Sequence, residues 1–263
     1  MEKQVIITGR KIFYRVTGNG KPVLLVHGFG ETGEVWNDQV DYLKHRFLLI
    51  VPDLPGSGKS DIIDDMSMEG MAEIIKAVVD AESLNRVDLI GHSMGGYITL
   101  AFAEKYPEML HSFGLFHSTA YADSEEKKAI RQKGIAFIRQ HGAFEFLKTT
   151  TSNLFSSQTK DETPELIDEF VQSLNNFLPD SLVLYYQSMI RRPDRTAVLK
   201  GSKMPVLFIM GESDNAVPLQ DGLQQSHLPE RATIHILHHS GHMGMLEETE
   251  KSNRLLEEFL MEP

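Results

Sequence analysis

The sequence of 263 residues contains no cysteine, so disulfides and thiol chemistry are excluded. It is also short of positive charge: 26 Lys and Arg stand against 37 Asp and Glu, a formal net charge of −11. Nucleic acid and anionic membrane both require a basic face, and neither is expected as a partner. No apolar stretch approaches the length of a membrane span, and the N-terminus lacks the basic start, apolar run and small-residue cleavage site of a secretory signal. With cysteine missing as well, the expectation is a soluble, cytoplasmic protein. Internal repeats, low-complexity tracts and linker-like composition are missing too, which points to a single domain with a large core. The acidic balance identifies no substrate.

What is present is concentrated in a few short motifs. The most informative is Val87-Asp88-Leu89-Ile90-Gly91-His92-Ser93-Met94-Gly95-Gly96. A serine hydroxyl is a poor nucleophile unless the backbone turns sharply enough to push it toward a base, and that turn leaves no room for side chains two residues away on either side. Gly91 and Gly95 supply the room. An apolar strand precedes this G-x-S-x-G and a helix-forming run follows it, which is the strand-turn-helix setting of a nucleophile elbow.

An activated serine needs a base, and the base needs a carboxylate to fix its tautomer. Hydrolases that use the elbow place serine, acid and histidine in that chain order. Asp214 and His242 satisfy it. Asp214 follows the apolar run Val206-Leu207-Phe208-Ile209-Met210, and His242 follows Thr233-Ile234-His235-Ile236-Leu237, so both lie just past strand ends. In open α/β sheets that edge carries the ligand. Upstream, Val23-Leu24-Leu25-Val26 opens into His27-Gly28-Phe29-Gly30, glycine-rich backbone able to approach a substrate and offer N–H donors to an oxyanion.

Taken with Asp53-Leu54-Pro55-Gly56-Ser57-Gly58-Lys59-Ser60, these motifs make the chain resemble the α/β-hydrolase fold superfamily, in particular its small, cofactor-free, esterase-like branch with a helical cap. The resemblance implies a mostly parallel central sheet with helices on both faces. By position it also implies the backbone N–H groups of Phe29 and Met94 as oxyanion donors.

The alternation of strand and helix signals agrees. Residues 4–8 and 11–16 read as a hairpin, 47–51, 87–90 and 110–116 as strands, and 36–44, 68–81 and 248–260 as helices. From 120 to 200 the alternation stops, and helical signals appear at 125–140, 143–150, 164–177 and 179–190. In the superfamily an insertion at this point caps the serine, which divides the chain into a core of residues 1–119 and 201–263 and a cap of residues 120–200. The cap aromatics (Phe137, Phe144, Phe146, Phe155, Phe170, Phe177, Tyr185 and Tyr186) are expected mostly to pack it onto the body, the remainder lining an acyl or alcohol pocket.

Two patterns compete with this reading. Gly28-Phe29-Gly30-Glu31-Thr32-Gly33, with Asp53 at the next strand end, nearly completes a dinucleotide-binding fingerprint, and an NAD-dependent oxidoreductase is the rival enzyme class. It leaves Ser93, Asp214 and His242 unexplained. The run Pro55-Gly56-Ser57-Gly58-Lys59-Ser60 imitates a phosphate-binding loop, but Asp53 stands where that motif needs glycine and acidic residues follow.

His238, His239 and His242 lie close in sequence, yet no H-E-x-x-H accompanies them, and neither a metal nor a cofactor is expected. His27, Gly28, His92 and His117 flank the elbow and are candidates for facing the substrate, His27 and His92 more by shaping the site than by moving protons. Asp123 is the alternative acid, because some superfamily members take their carboxylate from the preceding strand. The resulting expectation is a serine hydrolase of a small, partly apolar, ester-like substrate. Carbon–carbon bond hydrolysis, cofactor-free perhydrolysis and a slow-turnover ligand sensor of the same fold remain as alternatives, and oligomeric state is not legible.

Overall fold

The computed structural model describes residues 1–262. It begins with a hairpin, β1 (Glu2–Ile7) and β2 (Arg10–Gly18), whose two-residue turn puts Thr8 and Gly9 at φ 49° and 81°. Left-handed residues at both turn positions match the twist of antiparallel strands. The remaining strands are β3 (Lys21–Val26), β4 (Phe47–Pro52), β5 (Val87–His92), β6 (Leu110–Phe116), β7 (Pro205–Gly211) and β8 (Arg231–Leu237). They form one eight-stranded sheet in the order β1-β2-β4-β3-β5-β6-β7-β8, antiparallel around β2 and parallel from β4 onward.

Central strands covered on both faces read as continuous apolar runs rather than as alternations. In β3, Val23 and Leu25 join the core on one face of the sheet, and Leu24 and Val26 the core on the other. Helices Met68–Ala81 and Met94–Lys105 cover the second face, while Trp36, helix Asn37–Leu43 and helix Thr249–Leu260 cover the first. The hydroxyl of Ser67 caps the first of these helices by accepting from Gly70 N.

Between β6 and β7 the described residues form no strand but six α-helices, Glu125–His141, Ala143–Thr150, Ser157–Glu162, Pro164–Ser173, Pro179–Arg191 and Thr196–Gly201, with a 3-10 turn at Thr151–Leu154. The segment is tied to the rest of the fold at several points. Tyr185 donates its hydroxyl to Pro55 O at 2.6 Å, His242 N donates to Leu154 O at 2.6 Å, and the Arg195 guanidinium bonds Glu69 and Glu104. The helix expected at 164–177 stops at Ser173, ahead of the polar Asn175-Asn176 pair. The expected 36–44 helix begins as a 3-10 turn, Gly33–Trp36. None of the helices among the described residues is long and apolar enough to cross a membrane.

Candidate active site

Because β3 and β5 to β8 all run parallel, their C-terminal ends share one edge. The loops leaving that edge carry Gly28 to Glu31, Ser93, His117, Asp214 and His242, which explains how residues far apart in sequence meet.

Ser93 sits between β5 and helix Met94–Lys105 with φ 51° and ψ −113°, a conformation that costs a non-glycine residue about 1–3 kcal/mol. Packing imposes it. A Cβ at Gly91 would fall on the backbone of Gly95, and one at Gly95 on the Val26 and His27 carbonyls. Ser93 N donates to Phe116 O at 3.0 Å, which fixes the turn against β6. The first N–H groups of a helix lack intrahelical acceptors. Accordingly, neither the Met94 N–H nor the Phe29 N–H donates to another described residue. The neighbouring Gly28 N–H is committed to Glu31 Oε2 at 2.7 Å.

Ser93 and His242 open onto one cavity of about 250 Å³, lined on its apolar side by Phe29, Tyr97, Ile130, Leu154, Tyr186 and Met189. Phe29 stacks on Tyr186 with ring centroids 4.3 Å apart and planes 9° apart, so a residue of the β3 loop and one of the inserted helices form a single wall. Lys127 and Arg131, a helical turn apart on Glu125–His141, add cationic groups to the lining.

His242 Nδ1 lies 2.7 Å from Asp214 Oδ2. The Asp214 carboxylate is buried and saturated: Oδ2 also receives His117 Nδ1 at 3.1 Å, and Oδ1 receives Ala216 N and Val217 N, each at 2.8 Å. Burial disfavours its charge, but the two imidazoles outweigh burial and hold the carboxyl well below the usual carboxylate range. Burial likewise opposes a charge on His242, yet Asp214 prevails and raises it above the ordinary imidazole value.

Asp123, the alternative acid, is elsewhere engaged. Its carboxylate receives Arg131 Nε and Nη2 at 2.6 and 3.2 Å and faces Arg192 Nη1 at 2.9 Å. No hydrogen bond joins it to His242 among the described residues.

The four candidate substrate-facing positions do not line the cavity. His27 is fully buried; it accepts from Leu54 N at Nε2 (2.9 Å) and faces Gly28 O through Nδ1 (2.9 Å), pinning the end of β3 to the loop that follows β4. His92 bridges Glu31 Oε2 and the His242 carbonyl, each at 3.0 Å. His117 lies behind Asp214, and burial drives it down to about 4 despite the attraction of that carboxylate. Gly28 leaves space for the Glu31–His92 contact, since a Cβ there would stand 3.0 Å from His92 Nδ1.

Glu31 is the site residue that sequence reasoning missed. It lines the cavity while 2 % exposed, and its position inside a glycine-rich loop at a strand end, where an unpaired acid has no reason to be buried, was the available signal. The suspected histidine cluster does not form: exposed His238 pairs with Glu212 and exposed His239 with Gln158, while His242 points to Asp214. Among the described residues the one convergent donor group is His117, Asp214 and His242, whose facing atoms are already spent on one another. The dinucleotide reading also loses its acid, because Asp53 accepts from Gly33 N at 3.0 Å and Lys59 N at 2.9 Å.

Residues 21–249 match the family model described as alpha/beta hydrolase fold, and the chain belongs to that family. It is 31% identical to the 2-hydroxy-6-oxononadienedioate/2-hydroxy-6-oxononatrienedioate hydrolase of Paraburkholderia phymatum over 96% of this chain and 92% of that one. It is 28% identical to the 2-hydroxy-6-oxo-6-phenylhexa-2,4-dienoate hydrolase of Comamonas testosteroni over 95% and 91% of the two chains. Among solved structures, a thermophilic esterase from Thermogutta terrifontis superposes with a TM-score of 0.93 at 28% identity, covering 99% of this chain and 98% of that one. The family and these relatives define a hydrolase.

Proposed function

We propose that the protein is a serine hydrolase that cleaves a carboxylic ester of a small, partly apolar substrate through an acyl-enzyme on Ser93. The observation that carries this reading is the strained Ser93 sharing one cavity with His242, whose Nδ1 is 2.7 Å from a buried Asp214. His242 removes the Ser93 proton through Nε2 as Oγ attacks the ester carbonyl. Asp214 holds the ring in the tautomer with Nδ1–H and stabilises the imidazolium that forms. The unengaged N–H groups of Phe29 and Met94 receive the oxyanion, the alcohol leaves with the proton from His242, and a water activated the same way releases the acid. Residues 120–200 act as a cap on a core of residues 1–119 and 201–263, and their aromatic wall sets acyl-chain preference.

A second reading is favoured by one feature. Lys127 gives the cavity a cationic group suited to a carboxylate-bearing substrate, the Arg131 guanidinium beside it being paired with Asp123, and the two curated relatives are named for dienoate and dienedioate hydrolysis, which makes carbon–carbon bond hydrolysis the competing reaction. The two readings separate in one assay. p-Nitrophenyl esters of increasing acyl length are compared with 2-hydroxy-6-oxo-6-phenylhexa-2,4-dienoate, followed by loss of its absorbance. Ester turnover that rises over the first few carbons and then falls, with a slower dienoate reaction, supports the esterase. The reverse ranking replaces it with the carbon–carbon hydrolase.

A further inference from the structure

Each buried histidine near Ser93 has a different set of partners, and partner type dictates where the protons are. His27 receives an N–H at Nε2 and faces a carbonyl at Nδ1, one donor and one acceptor, which suits a neutral ring with its proton on Nδ1. His117 faces a carboxylate at Nδ1 and nothing at the buried Nε2, again a neutral ring. His92 differs from both. Its Nε2 faces the His242 carbonyl at 3.0 Å and its Nδ1 faces Glu31 Oε2 at 3.0 Å. A carbonyl oxygen only accepts. The Glu31 oxygen in question already receives Gly28 N at 2.7 Å, a bond expected of an ionised oxygen and poorly served by a carboxylic hydroxyl. Both ring nitrogens of His92 therefore meet acceptors, and each must carry a proton.

We propose that His92 is a buried imidazolium paired with the Glu31 carboxylate, and that this pair is the positioning device that locks the oxyanion loop, the elbow and the loop of the base into one unit. Glu31 closes the segment Gly28-Phe29-Gly30-Glu31 on itself by taking the Gly28 N–H, which sets the direction of the next donor, Phe29 N–H. Through the same oxygen it holds His92, the residue before Ser93. His92 in turn donates to the backbone carbonyl of His242, so the base is anchored at its own main chain as well as at Asp214. The void at Gly28 is the space this pair needs, since a Cβ there would stand 3.1 Å from Glu31 Oε1 and 3.0 Å from His92 Nδ1.

The surroundings do not supply a rival partner. His92 and Glu31 are both buried, and the other titratable groups packed around them are His27 on the β3 end, His117 on the β6 end, and His242 with Asp214 behind it. Burial alone pushes the Glu31 carboxyl up, but the charge and hydrogen bond of His92 reverse this and leave it below its ordinary value. A buried pair of this kind tolerates loss of neither member, because the survivor is stranded as an uncompensated charge.

The protonation claim stands on the geometry alone, whereas the positioning role rests on Ser93 being the nucleophile as proposed above. The test has two arms for that reason. In the intact protein labelled with 13C,15N-histidine, with His92 assigned through side-chain-to-backbone correlations, both His92 nitrogens are expected to carry protons. Glu31→Gln removes the charge and leaves an amide that can give its own N–H to His92 Nδ1, so His92 should become singly protonated. On p-nitrophenyl acetate the same variant should lose about tenfold or more in kcat with KM little changed, the effect of a displaced supporting residue rather than a lost substrate contact. A His92 ring with one bare nitrogen in the wild-type protein overturns the ion pair, and this reading needs no variant to fold. A folded Glu31→Gln protein with kcat within about twofold of wild type overturns the positioning role. Failure of the esterase reading looks different: the wild-type protein then turns over no ester, while the His92 spectrum is unaffected.

Discussion

His117 donates its Nδ1–H to the very oxygen of Asp214 that receives His242, at 3.1 Å against 2.7 Å. Asp214 thus carries a second imidazole besides that of His242, fully buried, at φ 48°, with its Nε2 left without a partner among the described residues. An unpartnered buried nitrogen and a left-handed backbone both cost stability, so the arrangement has to return something. What it returns is a carboxylate held from four directions, unable to rotate away from His242.

The first prediction is a pH effect on stability. Burial holds folded His117 at about 4, against 6.5 for the ordinary imidazole, so between those values the unfolded chain binds a proton that the folded chain refuses. Stability contributed here is complete above about pH 6.5 and lost as pH falls toward about 4, up to the order of 3 kcal/mol. His242 works in the opposite sense, since its raised value favours the folded state at lower pH, and its window lies above the ordinary value. His117→Asn keeps a donor for Asp214, tolerates the positive φ and cannot titrate. Urea melts from about pH 7 to about pH 4.5 should therefore show a shallower loss of stability in the variant; parallel curves would remove His117 as the source.

Strain at the elbow gives a second prediction. Ser93→Gly relieves φ 51°, ψ −113° and should raise stability by about 1 kcal/mol, or about 2–4 °C in Tm, while abolishing ester turnover. A variant that melts lower than wild type contradicts the account of the turn.

The two candidate acids can be separated directly. Asp214→Asn should cost most of the turnover but less than Ser93→Ala or His242→Ala, which act as a unit and should be scarcely additive. Asp123→Asn strands the guanidiniums of Arg131 and Arg192, so its main effect should be a stability loss of about 3 kcal/mol, with the pH–rate profile of the base unmoved. A dead Asp123→Asn beside an active Asp214→Asn would move the acid to the end of β6.

The aromatic wall leads to a fourth. Tyr186 stacks on Phe29 at 4.3 Å, and Tyr186→Ala removes the far side of the cavity. The acyl-length optimum should shift to longer chains, each newly buried methylene favouring longer substrates by about 0.8 kcal/mol, close to fourfold in kcat/KM. An unchanged length profile measured with p-nitrophenyl esters would show that the inserted helices do not bound the acyl pocket.

The legible parts of this molecule were the ones with local causes. Helices Met68–Ala81 and Ala143–Thr150 and strand Leu110–Phe116 have the limits read from periodicity and flanking turns. The elbow was legible because its strain demands two glycines at fixed spacing. Helices Ser157–Glu162 and Thr196–Gly201 escaped, being six residues each and too short for a periodic signal. The contacts that organise the site escaped for another reason. His117 meets Asp214 across 97 residues and Glu31 meets His92 across 61, and nothing in either neighbourhood announces a partner so distant. Sequence placed His92 beside the site as a shaping residue and His117 as one that could face substrate, but not the groups they hold, because a histidine's role follows from what its two nitrogens face.

The most direct test of the central claim is labelling of the native protein with a fluorophosphonate, located by peptide mass spectrometry. Only an activated hydroxyl attacks phosphorus at a useful rate. Among the serines, stoichiometric label is expected on Ser93 alone, lost in His242→Ala and prevented by saturating ester. Label on another serine, or a folded protein that takes none, contradicts the assignment of Ser93 as the nucleophile.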